Sequence, residues 1–246
     1  SIKYISKIFP VVPAGVEFLH EIYKVPYEKM EVLPLGADID LCKEVFEKND
    51  LLEQLKIDYS ITKNTKVIIT GGKLSPRKKT QKLIEAFNLL SIKDKVLIII
   101  GDSSKEDIEY MQILKTKANN QKNIIFTGWL STHDVYAHYA ISNIAVFPAS
   151  QSILWQQAIA SGLPLIVGNT GHQSIEYLNK YENIIMIEKE DIQVDIIKRN
   201  IEKVLDDKDL YSKMHKGALL VRDEKLDWNR LMDKTLRFNN GENDGK

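Results

Sequence analysis

Six short apolar runs, separated by amphipathic stretches, dominate the chain from Lys66 onward. The runs read KVIITGG, KVLIIIGD, NIIFTG, NIAVFPA, LPLIVGN and NIIMIEKE. They are rich in β-branched residues and nearly continuous in apolar character, which is typical of strands covered on both faces of a parallel sheet. The pattern predicts a doubly wound, Rossmann-like α/β domain.

The stretches between these runs carry apolar residues three to four positions apart and are predicted to be helices on the sheet. They read TQKLIEAFNLL, KEDIEYMQILKTKA, STHDVYAHYAIS, SILWQQAIASG and HQSIEYLNK. Three further helices are predicted in DIQVDIIKRNIEKVLDD, KDLYSKMHKGALLVRD and LDWNRLMDKTLRF, and a disordered tail in NNGENDGK.

The first forty residues do not follow this alternation. They offer a strand-like run, SKIFPVV, an amphipathic stretch, GVEFLHEIYKVP, and a turn at LPLGAD. We therefore expect residues 1–35 to be the remnant of an N-terminal domain with a linker, residues 36–225 to be the Rossmann-like domain, and residues 226–246 to be a terminal helix and tail.

Charge and cysteine content narrow the classes of function. Lys and Arg number 34, as do Asp and Glu, so no overall field favours nucleic acid or an anionic membrane. Cys42 is the only cysteine, and no apolar run approaches the roughly 18 residues of a membrane span. The expected location is cytoplasmic.

Ligands of open parallel sheets bind beyond the carboxyl ends of the strands. The loop after the first predicted strand, GGKLSPRKKT, combines glycines with positive charge. Its candidate residues are Gly71, Gly72, Lys73, Arg77, Lys78 and Lys79. A diphosphate is the expected guest of such a loop, and a solvated basic loop is the alternative.

The turn after the fourth predicted strand places Ser150, Gln151 and Ser152 ahead of a helix, where they can act as caps or face the same crevice. Trp155 is expected in the core. Gln156 and Gln157 can bind sugar or ribose hydroxyls, or can lie on an exposed helix face.

Metal and nucleophile chemistry find no support in the sequence. His20, His133, His138, His172 and His215 lack metal-ligand spacing, and each is expected to be a surface or capping residue. HExxH, paired CxxC, GxSxG, GxGxxG and P-loop patterns are absent. Cys42 is expected to be a core or boundary residue.

From about Lys24 to Arg237 the segments resemble, in order, the donor-binding half of retaining glycosyltransferase family four, which has the two-domain GT-B architecture. VLPLGADID resembles the linker signature, and GGKLSPRKKTQKLIEAF resembles the segment that holds the donor diphosphate. IIIGD, IIFTGWL, NIAVFPAS and QQAIASGLPLIV continue the register.

The resemblance implies a bacterial transferase of polysaccharide biosynthesis that binds a nucleotide-diphosphate sugar, such as a UDP- or GDP-sugar, without cofactor or metal. The acceptor, and any membrane contact, would belong to an N-terminal half outside this chain, without which the fragment would be inactive. It assigns the leaving diphosphate to Lys73 and Lys78, the base to Gly128, Trp129 and Leu130, and the sugar and ribose to Ser150, Gln151, Ser152, Ile153, Leu154 and Gln157. Gly72 is a further expected substrate-binding residue.

This sequence departs from the family pattern at Lys73, where Arg is usual, and at the family's two glutamates. These glutamates, eight positions apart, align with Ala149 and Gln157. Gln157 can still exchange hydrogen bonds with ribose, whereas Ala149 cannot position a sugar. Two alternatives therefore stay open: a noncatalytic nucleotide-sugar-binding or scaffold module derived from a glycosyltransferase, and a GT-B sugar-nucleotide epimerase.

The last predicted helix gives one further expectation, because in this architecture it crosses back to the N-terminal domain. Trp228, Leu231, Met232 and Leu236 are then expected to form an exposed apolar stripe near the C terminus. The alternative is that the helix packs on its own domain.

Overall fold

Six parallel strands form the centre of the molecule. The computed structural model describes residues 2–149, 152–171 and 174–239. The strands are β1 (Lys66–Gly71), β2 (Lys95–Ile100), β3 (Ile124–Gly128), β4 (Ile144–Phe147), β5 (Leu165–Gly168) and β6 (Ile184–Ile187). They lie in the order β3-β2-β1-β4-β5-β6, and every neighbouring pair is parallel. All six predicted strands are confirmed.

Within the described residues, ten α-helices cover the sheet and extend from it. They are α1 (Pro13–Tyr23), α2 (Ile39–Phe46), α3 (Asn49–Asp58), α4 (Thr80–Leu89), α5 (Ile108–Ala118), α6 (Thr132–Ala140), α7 (Leu154–Ala160), α8 (Val194–Asp206), α9 (Lys208–Val221) and α10 (Trp228–Asn239). Helices α2, α3, α6 and α7 pack into one core cluster, and α4, α5 and α8 pack into the other. Among the described residues no helix is both long and apolar enough to cross a bilayer.

The burial of the strands explains their continuous apolar character. In β1, Val67 and Ile69 belong to one core cluster and Ile68 to the other, and each is at most 1% exposed. Successive side chains of a strand point to opposite faces, so both faces of this strand need apolar residues.

The structure differs from the sequence-based predictions in three segments. HQSIEYLNK was predicted to be an α-helix, but the described part is a short 3₁₀ turn, Ile175–Leu178. SKIFPVV forms no strand within the described residues and contributes one isolated bridge, Ile8 with Met30. Helices α2 and α3 were not predicted. The predicted tail beyond residue 239 lies outside the described residues.

The C-terminal helix returns to the N-terminal segment. A π-helical turn, Arg222–Leu226, joins α9 to α10. Trp228 Nε1 donates a hydrogen bond to the Leu35 carbonyl at 2.9 Å. Trp228, Met232 and Leu236 are 42%, 59% and 51% exposed, which confirms an exposed apolar stripe on α10, whereas Leu231 is half-buried.

The strand order fixes where a ligand crevice lies. From β1 the chain proceeds outward to β2 and β3, then returns to place β4 on the other side of β1. The loops that follow β1 and β4 therefore leave the sheet edge in divergent directions. The space between them is the topological switch point, where ligands of doubly wound sheets bind.

Candidate functional site

Glycines bring the loops after β1 and β2 into backbone contact at the carboxyl edge. A Cβ at Gly71 would lie 2.6 Å from the Ile100 carbonyl oxygen, and one at Gly101 would lie 2.2 Å from the Gly72 carbonyl oxygen. Gly72 has φ +116°, in the region that favours glycine. Gly101 was not singled out from the sequence, although a Gly-Asp pair directly after a buried strand marks such a turn.

Lys78 and Ser152 meet in front of Gly72. A Cβ at Gly72 would lie 3.5 Å from Lys78 Nζ and 3.4 Å from Ser152 Oγ. Lys78 ends a short 3₁₀ turn, Pro76–Lys78, which carries its side chain back toward the end of β1. The loops on the two sides of the switch point therefore converge on one glycine, with an ammonium group and a hydroxyl group directed there.

Burial affects the electrostatics of this lysine. Desolvation lowers the pKa of Lys78 from its ordinary value, because the charged form loses part of its hydration. An ammonium group held in a partly desolvated position attracts an anion more strongly than one in bulk water.

Lys73 does not share this environment, since it is exposed. Lys79 caps α4 with φ +53°, and its pKa is lowered by desolvation and, to a lesser degree, by the charges of Lys82 and Lys189. Of the four basic residues predicted in this loop, Lys78 is the one whose ammonium group the structure brings next to Gly72 and Ser152.

The approach to α7 forms the other wall of the crevice. Ser152 Oγ accepts a hydrogen bond from the Leu154 amide at 3.3 Å, within the turn that leads into α7. Leu154 is buried, with its Cδ1 3.0 Å from a Cβ placed on Gly71, and Ile153 is 39% exposed. Ser150 and Gln151 lie outside the described residues.

Helix α7 is buried along its whole length. Trp155 is 1% exposed, which confirms the core prediction. Gln156 and Gln157 are 1% and 9% exposed, so the alternative of an exposed helix face is wrong for both. The Oε1 atoms of Gln156 and Gln157 find no hydrogen-bond partner among the described residues. A buried acceptor without a partner is costly, and such atoms concentrate at functional sites.

The turn after β3 is the predicted place of the base. Gly128 has φ +70°, and no described atom lies within 4 Å of a Cβ placed on it. Its carbonyl accepts hydrogen bonds from the Gly101 amide at 2.7 Å and from Thr127 Oγ1 at 2.9 Å. The Trp129 side chain is 64% exposed and Leu130 is half-buried. An open glycine beside an exposed indole can accept a planar ring.

The histidines need one correction. His138 is 3% exposed rather than at the surface, because α6 places it against α3, where its Nε2 lies 2.9 Å from Tyr59 Oη. Desolvation lowers its pKa. His215 Nδ1 lies 2.6 Å from the Gly162 carbonyl oxygen, and Cys42 is buried as expected. Among the described residues no three His, Cys, Asp or Glu side chains cluster to suit a metal ion.

Solved structures share this fold. A glycosyltransferase from Rickettsia africae superimposes with a TM-score of 0.81 at 20% identity, covering 99% of this chain and 67% of that one. A protein from Anabaena, solved in complex with UDP and glucose, superimposes with a TM-score of 0.78 at 14% identity, covering 96% of this chain and 63% of that one. At these identities the likeness establishes the GT-B-type fold.

Curated relatives are similar in sequence. A GDP-mannose-dependent α-(1-6)-phosphatidylinositol monomannoside mannosyltransferase of Mycobacterium tuberculosis is 26% identical over 164 residues, covering 59% of this chain and 40% of the relative. A lipopolysaccharide 1,2-N-acetylglucosaminetransferase of Salmonella typhimurium is 23% identical over 237 residues, covering 91% and 60%. The chain thus spans less than two thirds of these relatives.

The family model described as glycosyl transferases group 1 matches residues 53–220, which is more than half of the chain and includes every described residue of the crevice. The chain therefore belongs to the glycosyl transferases group 1 family.

Proposed function

We propose that this chain is the donor-binding half of a retaining glycosyltransferase of family four and that its crevice holds a nucleotide-diphosphate sugar. The observation that carries the proposal is the convergence of Lys78 Nζ, Gly72 and Ser152 Oγ at the switch point. A diphosphate placed there would receive a partly desolvated ammonium group and a hydroxyl donor. The family membership and the Anabaena protein solved with UDP support the same ligand class.

Lys78 has a role in the chemistry under this proposal. When the bond from the anomeric carbon to the diphosphate breaks, its electron pair passes to a diphosphate oxygen. Positive charge already fixed beside that oxygen stabilises the transition state without reorganisation. The acceptor hydroxyl then bonds to the same face of the anomeric carbon and loses its proton to the departing diphosphate. Lys73, being exposed, supplies weaker support.

Under this proposal, residues around the diphosphate site bind the base and the ribose of the nucleotide. The exposed indole of Trp129 beside the open Gly128 offers a stacking surface for the base. Gln157, buried in α7 with an Oε1 that has no partner among the described residues, is the acceptor proposed for a ribose hydroxyl. The relatives named for GDP-mannose and for N-acetylglucosamine transfer use different sugars, so the donor is to be identified by titration.

Calorimetric titration with UDP, GDP and ADP tests the proposal. We expect one nucleotide to bind, and Lys78→Ala to weaken it about tenfold to a hundredfold, the range for loss of a charge-assisted hydrogen bond. Lys216→Ala, which removes an exposed lysine on α9, is the matched control. Binding of none of the three by folded protein, or equal binding by wild type and Lys78→Ala, would refute a donor site at this crevice.

Residues at the ends of the family's glutamate pattern favour a second candidate, a noncatalytic binding module. Ala149 is 1% exposed and has no polar group, and Gln157 is neutral. A protein that also contains an acceptor domain would then bind the nucleotide sugar without transferring or hydrolysing it. Under the enzymatic proposal the same protein transfers the sugar, and its rate is unchanged by EDTA because we expect no metal to take part.

A further inference from the structure

A cleft of about 770 Å³ separates the N-terminal segment from the C-terminal part of the chain. Its lining includes Val32 and Pro34 from the N-terminal segment, Tyr177 from the 3₁₀ turn Ile175–Leu178, and Arg230 from α10. None of its lining residues belongs to the loops after β1, β3 or β4, so it is distinct from the donor crevice. Its volume falls within the roughly 300–1,000 Å³ of ordinary ligand sites.

Helix α7 connects the two places. Gln156 Nε2 donates to Tyr177 Oη at 3.4 Å, and Leu154, two residues earlier, borders Gly71 at the crevice. Two residues on an α-helix are about 200° apart around its axis. The cleft therefore lies behind the helix whose other side bounds the crevice.

The N-terminal segment ties the cleft to the carboxyl edge of the sheet. Pro13, at the start of α1, lines the cleft, and the next residue, Ala14, donates its amide to Ser174 Oγ at 3.3 Å in the loop after β5. The N-terminal segment thus contacts both the cleft and a loop at the carboxyl edge of the sheet.

Three cations line the cleft, and each is already held by the protein. Lys225 Nζ donates to the Tyr177 carbonyl at 2.8 Å. Arg230 donates to the Asp223 carbonyl, and Lys234 pairs with Glu31. An ammonium group has three donors and a guanidinium group has five, so each keeps hydrogen-bonding capacity to spare.

Four carboxylates line the same cleft. Glu31 pairs with Lys234, and Glu224 pairs with Lys180 at 2.6 Å. Asp227 caps α10 by accepting the Asn229 amide at 3.0 Å, and Asp233 is exposed. The lining is nearly neutral in sum and rich in both donors and acceptors, and Tyr177 adds an aromatic surface.

We propose that this cleft binds a neutral saccharide. A polyhydroxylated ring donates to the carboxylates, accepts from the lysines and arginine, and packs its C–H face on the apolar side chains of Val32 and Pro34, without displacing the existing ion pairs. A charged ligand would have to compete with those pairs and to meet like charges. Given the proposed function, the saccharide is a distal part of an acceptor whose reacting end the N-terminal half holds, and its binding energy in this cleft helps to keep that end in place.

Saturation-transfer NMR on the 246-residue chain tests this assignment with maltose and cellobiose as neutral probes and glucose 6-phosphate as a charged one. We expect transfer to at least one neutral disaccharide at millimolar concentration and a drop of about tenfold in its affinity in Arg230→Ala, the scale of one lost hydrogen bond. Arg199→Ala, an equal loss of charge at an exposed position of α8, should change nothing.

Absence of transfer to both neutral probes would overturn the proposal, as would equal signals in Arg230→Ala and wild type, or stronger binding of the phosphorylated sugar. The Lys78→Ala variant separates the two sites: it should keep the disaccharide signal while it loses nucleotide. If nucleotide binding fails and disaccharide binding is retained, the saccharide proposal for this cleft survives. If disaccharide binding fails and nucleotide binding is retained, the donor-site proposal for the crevice survives.

Discussion

The ammonium group of Lys78 lies 3.5 Å from the point at which a side chain on Gly72 would begin. This space is open because Gly72 has no Cβ, and the backbone there has φ +116°, which other residues adopt only with strain. The glycine thus keeps both the turn and the face of the lysine accessible to an anion.

Gly72→Ala should damage nucleotide binding more than the fold. We expect about 1–3 kcal/mol of destabilisation from the strained backbone. We also expect at least a tenfold loss of affinity, because the methyl group fills the space before Lys78 Nζ. Calorimetry and thermal unfolding measure the two effects separately.

Gly162→Ala is the control for strain alone. Gly162 has φ +75° at the far end of α7, where a Cβ would lie 2.8 Å from His215 Cε1. This variant should be destabilised and should still bind nucleotide when folded. If both variants bind as wild type does, Gly72 has no role in admitting the ligand.

As the pH rises, the affinity for a nucleoside diphosphate should begin to fall at a lower pH than it would if Lys78 had the pKa of an ordinary lysine. The pKa of Lys78 is lowered by desolvation, so its charge is lost at a pH below the ordinary value of 10.5. Titrations from neutral to alkaline pH should show this loss in wild type. Lys78→Arg stays charged throughout and should give a flat profile, if it binds. A wild-type profile as flat as that of the arginine variant would contradict the role of Lys78.

The lowered pKa of Lys78 also affects the stability of the fold, which changes with pH in the opposite direction to the affinity. A lysine whose folded pKa lies below its unfolded value binds its proton less tightly in the folded state. Stability therefore rises with pH between the folded and unfolded pKa values of Lys78. Lys78→Met should lose this rise, which denaturant unfolding at neutral and alkaline pH can detect.

The sequence was sufficient for the sheet but not for every helix. Each strand of this sheet is buried on both faces, so its β-branched run is unambiguous, as in Val67–Ile69. Helices α2 and α3 were not predicted because α2 has only 8 residues and α3 buries none of its residues, so neither carries the long apolar stripe that identifies a helix. HQSIEYLNK has helical spacing, yet its described part forms a 3₁₀ turn, with Ser174 at φ +46° immediately before it.

The candidate site was predictable in type and less so in detail. The glycine-rich basic loop after the first strand indicated an anion site, but it could not tell that Lys78 points inward while Lys73 is exposed. That difference depends on the 3₁₀ turn of Pro76–Lys78 and on Ser152, which is distant in sequence. The cleft beside Tyr177 left no local signal, because its walls come from three separate segments.

Gln157 offers a contrast between stability and binding. Its Oε1 is buried without a partner among the described residues. Gln157→Leu removes this acceptor, so we expect stability to be unchanged or raised by up to about 1–3 kcal/mol. Nucleotide affinity should fall roughly fivefold to tenfold if the acceptor serves a ribose hydroxyl. Thermal unfolding and titration with the nucleotide and its 2′- and 3′-deoxy analogues measure both effects.

The deoxy analogues identify the contact. If Gln157 binds a ribose hydroxyl, the analogue that lacks this hydroxyl should bind the wild type as weakly as the full nucleotide binds Gln157→Leu. The same analogue should bind the wild type and Gln157→Leu with equal affinity. Equal weakening of all three ligands by the substitution would show that Gln157 supports the shape of the helix instead. Gln157→Glu would bury a charge and should unfold at a lower temperature than wild type at neutral pH.

Gly36→Ala should loosen α10 from the N-terminal segment. A Cβ at Gly36, where φ is +71°, would lie 2.4 Å from Trp228 Cδ1 and 2.6 Å from Leu231 Cδ1. Either the helix or the indole must move, and the hydrogen bond from Trp228 to the Leu35 carbonyl is lost. Amide hydrogen exchange should therefore quicken in α10 while β1 stays protected.

Adding Trp228→Ala to Gly36→Ala makes room and should restore part of the protection, whereas Gly15→Ala in α1 should leave α10 unchanged. Unaltered exchange of α10 in Gly36→Ala would mean that this contact does not hold the helix, and that the cleft wall formed by Arg230 is fixed by other residues.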